Sequence, residues 1–114
     1  MVALFIILNK KEYLEDILSI FIRHKIKGAT IIESQGMASA IVNGDIQDIP
    51  LFGSLKTLLR GSHPYNKTIF SVLKSELVEK VVEEIRDLME AERKTGSGFM
   101  FTVPVGNIYL FDEK

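Results

Sequence analysis

At 114 residues the chain is long enough to bury one real core and too short for two, so a single domain over 1–114 is expected. Its 46% hydrophobic and 25% charged residues are globular values that argue against disorder, and a net charge of -1 leaves no basic excess for a nucleic-acid backbone. The absence of cysteine excludes a disulfide scaffold, a thiolate metal site and a cysteine nucleophile.

Val2 to Leu8 is nearly continuous apolar sequence, as a central strand requires; it is too short to cross a bilayer and lacks the marks of a secretory leader. A soluble cytoplasmic protein is the expectation. Asn9, with Glu12 three residues on, predicts a capping box, and Leu14, Ile17, Leu18, Phe21 and Ile22 fall on one face of a first helix. Arg23, His24 and Lys25 then collect where positive charge complements the helix carbonyls.

Gly28 opens a second strand, Ala29 to Ser34, in which a buried Glu33 would need a partner. From Met37 to Asn66 the periodicity fails, with breakers at Asn43, Gly44, Pro50, Gly61 and Pro64. A long excursion of this kind inside a small domain is usually functional, and Leu51, Phe52, Leu55, Leu58 and Leu59 recur within it at helical spacing. Lys67 to Leu73 reads as a third strand. Ser75 is the expected cap of a second helix with the face Leu77, Val78, Val81, Val82, Ile85, Leu88 and Met89. Its Glu-rich flank, Glu79 to Glu92, reads as a solvated surface. Gly96, Ser97 and Gly98 form a turn into a fourth strand, Phe99 to Val105, ended by Pro104, and Ile108 to Phe111 could add a short fifth.

The order is βαβ followed by βαβ. Two such units pack most simply as an α+β, ferredoxin-like βαββαβ sheet with both helices on one face. The other face is then left apolar, and another copy of the chain is its most economical cover.

The segment carrying Gly28, Thr30, Glu33 and Gly36 resembles the strand that leads into the T-loop of the PII-like (nitrogen regulatory) signal transduction family. Met37 to Asn66 would be that T-loop, and Gly96 to Gly98 resembles the family's B-loop. The resemblance implies a homotrimeric, non-enzymatic regulator, working in nitrogen metabolism as the family name has it. Such a regulator binds an effector between subunits and meets a transporter or enzyme through the loop, here by way of Leu51, Phe52, Leu55, Leu58 and Leu59. It implies ATP or ADP as effector and no cofactor. Gly36 and Met37 would contact the nucleotide by backbone groups, Thr30 would line the base pocket, and Lys67 would supply a positive contact. Gly96, Ser97, Gly98 and the following Phe99 would border the phosphates, the first three offering backbone N–H groups. Phe99 stands where the family has a lysine, and Leu110 and Asp112 where it has arginines. Each missing charge-assisted contact is worth roughly 1.5–3 kcal/mol, so a less charged adenine ligand, a cyclic dinucleotide or a small anion stands beside ATP.

Two other readings share the topology. A CutA-like metal-binding trimer would need ligands around His24 or His63. An acylphosphatase-like enzyme would need an arginine in a loop where the chain has Asn9, Lys10 and Lys11. No nucleophile–base grouping, carboxylate–histidine cluster or Walker-type loop supports catalysis.

Overall fold

A computed structural model describes residues 1–37, 65–91 and 96–112. Its elements are β1 (Val2–Leu8), a 3-10 turn (Lys11–Tyr13), α1 (Leu14–Arg23), β2 (Thr30–Gln35), β3 (Tyr65–Leu73), α2 (Ser75–Leu88) and β4 (Gly98–Pro104). The four strands form one antiparallel sheet in the order β2-β3-β1-β4. This α+β order is compatible with the expected ferredoxin-like arrangement. β1 and β3, which carry all the buried strand residues, take the centre, where both edges of each are paired.

Strand periodicity divides the sheet into two unlike faces. Leu4, Ile6 and Leu8 of β1 and Ile69 and Leu73 of β3 are buried beneath the helices. Ile17, Ile20 and Phe21 of α1 and Val81 and Ile85 of α2 close on them as one core. The opposite face carries Phe5, Phe70 and Phe101, which the register places side by side on three adjacent strands. Their rings stack, with centroids 5.2 Å apart for Phe5 and Phe70 and 5.0 Å for Phe5 and Phe101. No described element of the chain covers this face: Ile32, Val72, Phe99, Phe101 and Val103 are each 41–62% exposed.

Several local expectations are corrected. Asn9 caps no helix; its backbone N–H donates to the Ser97 carbonyl and its Nδ2 to the Gly96 carbonyl, both at 2.8 Å. The chain enters α1 through the 3-10 turn, and neither α1 nor α2 has a side-chain cap; Ser75 is the first residue of α2 rather than its cap. On α1, Ile20 is buried and Ile22 is 72% exposed, the reverse of the expected assignment. The third strand begins at Tyr65, so Tyr65 and Asn66 belong to the sheet and not to the excursion. Ile108 to Phe111 form no strand, because the ladder stops where the Val105 N–H donates to the Met1 carbonyl. Leu51, Phe52, Leu55, Leu58, Leu59 and His63 lie outside the described residues. Among those described, no helix is long and apolar enough to cross a membrane.

α1 ends with Lys25 in the left-handed region at φ 62°, while the Ile26 N–H reaches back to the Phe21 carbonyl. This is a Schellman-type stop with lysine in the place that usually goes to glycine. The Ser71 hydroxyl then donates to the Gly28 carbonyl and ties the following turn to β3.

Candidate functional site

Gly36 follows β2, Lys67 lies near the start of β3, and Gly96 to Gly98 lead into β4, so all of these stand at one end of the sheet. The register fixes this: Lys67 and Gly98 both face Leu8, from opposite sides of β1. The same end borders residues 38–64 on both sides. Thr30 is placed elsewhere. It pairs with Phe70 on the uncovered face, about 16 Å along β2 from Gln35 by strand rise.

Two separate clefts divide the other candidates. One, of about 490 Å³, is bordered by Lys11, Glu33, Gln35, Tyr65 and Lys67. Here the Lys67 ammonium donates to Glu33 across the β2–β3 pair, and that bond, then the charge itself, holds the Glu33 carboxyl below its ordinary value. Glu33 is exposed, so its pairing is a surface one rather than the rescue of a buried charge. Beside it, the Ser34 hydroxyl meets the Asn66 side chain and lies 2.8 Å from the Thr68 hydroxyl, a polar ladder that the periodicity did not foretell.

The second cleft, of about 590 Å³, lies between α2 and β4 and is lined by Val82, Arg86, Met89, Ser97, Gly98 and Phe99 among others. Ser97 is buried, whereas Phe99 is 62% exposed. Gly98 has a local reason to be glycine: φ is 138°, and a Cβ there would stand 1.9 Å from the Ile7 carbonyl oxygen. The glycine is needed for the sheet whether or not a ligand binds. Arg86 went unnoticed in the sequence because it sits in the glutamate-rich flank. Only its position a turn from Met89 on the inward-leaning side of α2 could have signalled it. Glu79 and Glu90 line the same cleft, so its lining holds one guanidinium and two carboxylates.

Gly36 and Met37 line neither cleft, and Gly36 and Gly98 follow or begin opposite edge strands of the sheet. Three strand spacings, about 14 Å, separate those edges within one chain. The candidates are therefore brought to one end but not into one pocket.

His24 lies at the end of α1 and reaches α2, its Nε2 standing 2.7 Å from Glu84 Oε1, with Arg23 on the other oxygen at 3.0 Å. One carboxylate and one imidazole do not make a metal site, and among the described residues no group of three or more His, Asp or Glu could hold an ion. Compared with family models and with curated proteins, the sequence matches none.

Proposed function

We propose that the chain is a non-enzymatic, self-associating regulator of PII-like type, a homotrimer that binds a small effector at the loop end of its sheet. Residues 37–66 would then present the bound state to a target protein, a transporter or enzyme, as an order–disorder switch set at Gly36. The observation that carries this reading is the uncovered row of Phe70, Phe5 and Phe101 with Phe99, Val72, Val103 and Ile32 around it. An apolar sheet face of this extent marks an interface. Burying what remains exposed of Ile32, Val72, Phe99, Phe101 and Val103 would contribute about 1 kcal/mol apiece per subunit. That is comparable with the lower estimates of the cost of association, so all of the face is needed.

In this reading the copies also approach edge to edge. Bringing the β4 edge of one copy to the β2 edge of the next would set Gly96–Gly98 opposite Gly36 and Lys67. The effector expected there is less charged than a nucleoside triphosphate, since Arg86 shares its cleft with Glu79 and Glu90. An adenine ligand with one phosphate, or a cyclic dinucleotide, fits that balance better than ATP.

Calorimetric titration of the full chain at low ionic strength tests this. Adenosine monophosphate or a cyclic dinucleotide is expected to bind at least tenfold more tightly than ATP, and Lys67→Ala to weaken that binding about tenfold or more. Absence of heat with all of these at millimolar concentration would reject the effector site.

A further inference from the structure

Beyond β4 the chain runs on through Ile108, Tyr109, Leu110 and Phe111, four consecutive apolar residues that are 47%, 83%, 65% and 106% exposed. Among the described residues, none covers them. Such an exposed apolar run outside any helix or strand suits insertion into a groove on another molecule.

A receptor of matching chemistry lies on the same molecule. At the sheet end opposite to the loop, a cleft of about 520 Å³ has Ile26, Leu73 and Leu77 as its apolar floor. Lys25, Lys27 and Lys74 form its rim beside His24, whose imidazole is engaged by Glu84, and none of the described residues that line it is acidic. The rim is held in shape by the αL turn at Lys25 and by the Ser71 hydroxyl on the Gly28 carbonyl. Little ordering is then left for a ligand to impose. The apolar run ends in a carboxylate, Asp112, of the sign this rim attracts.

Run and cleft adjoin at Met1, which lines the cleft and accepts the Val105 N–H at 3.2 Å. The segment thus leaves its own body beside the cleft yet stays exposed. We propose that Leu110 and Phe111 enter the Ile26–Leu77 cleft of a second copy, with Asp112 meeting Lys27 and Lys74 on the rim. Each copy gives a segment and receives one, so a closed ring or pair leaves none over. This rests on the reading that copies associate, and adds to it a second contact distinct from the aromatic sheet face.

The chain contains no cysteine, so engineered pairs report cleanly. The full-length double variant Phe111→Cys with Leu77→Cys is oxidised and run on a non-reducing gel. Covalent multimers are expected. A band at the mass of one chain, whether internally bridged or with free thiols, overturns the proposal. Asp112→Cys with Lys74→Cys, both exposed positions, repeats the test should the first pair disturb folding. Pairing Phe111→Cys with Ser19→Cys on the exposed side of α1 is expected to give none; equal cross-linking there would also overturn it. Lys27→Glu with Lys74→Glu, placed in the Phe111→Cys, Leu77→Cys background, is expected to lower the yield about tenfold. Light scattering on the same samples separates the two claims. An oligomer without specific cross-links rejects this contact alone, and a monomer rejects self-association as well.

Discussion

At Gly98 the carbonyl of Ile7 occupies the space where any side chain would begin. Gly98→Ala should therefore lower stability by about 2–4 kcal/mol, through overpacking and a φ that alanine resists. Thermal unfolding without any ligand measures it, and an unchanged melting temperature would show that the strand can shift aside. The glycines suggested a phosphate loop in the sequence; the contact that explains one of them comes from a strand some 90 residues earlier. Glu33 gives a second residue-level prediction. Its folded pKa lies below the ordinary 4.5, so pairing with Lys67 stabilises the fold above about pH 4.5 and is lost as pH falls through the lowered value. Titration of the Glu33 carboxyl by NMR should give a midpoint below 4.5 that returns towards it in Lys67→Ala. A midpoint unmoved by that substitution would show the cause to lie elsewhere.

The elements were the most legible feature, because strands of alternate burial and helices with one apolar stripe leave their period in the sequence. All four strands stand within two residues of their expected bounds, and both helices are present, though α1 starts at Leu14 rather than directly after Asn9. Their ends were not legible. Asn9 has the side chain of a cap, yet its amide goes to Gly96, a partner 87 residues away. Helix phase failed in one place: the core face runs through Ile17, Ile20 and Phe21 at i, i+3, i+4, which leaves Ile22 at its margin and exposed. The stop of α1 carries a prediction of its own. Lys25→Gly should stabilise the fold by about 1 kcal/mol, since glycine adopts φ 62° without the lysine's strain. Denaturant unfolding checks this, and a loss of stability would mean that the lysine side chain makes a compensating contact.

For the whole molecule, the sequence made plain that one sheet face would lie bare, since β1 is apolar at positions of both parities. It did not show that Phe5, Phe70 and Phe101 would fall in register, because strand order is set by long-range pairing. The candidate site was legible as an end of the fold and not as a pocket. Gly36 and Gly98 stand at opposite edges, and only a second copy could bring such edges together. Self-association is thus the claim on which both the effector site and the exchanged segment depend. The most direct measurement is multi-angle light scattering of the full-length chain across a concentration series. A mass three times the 12.9 kDa of one chain is the expected result, with Phe99→Ser and Phe101→Ser together driving it towards a single chain. A mass of 12.9 kDa at every concentration would contradict the account.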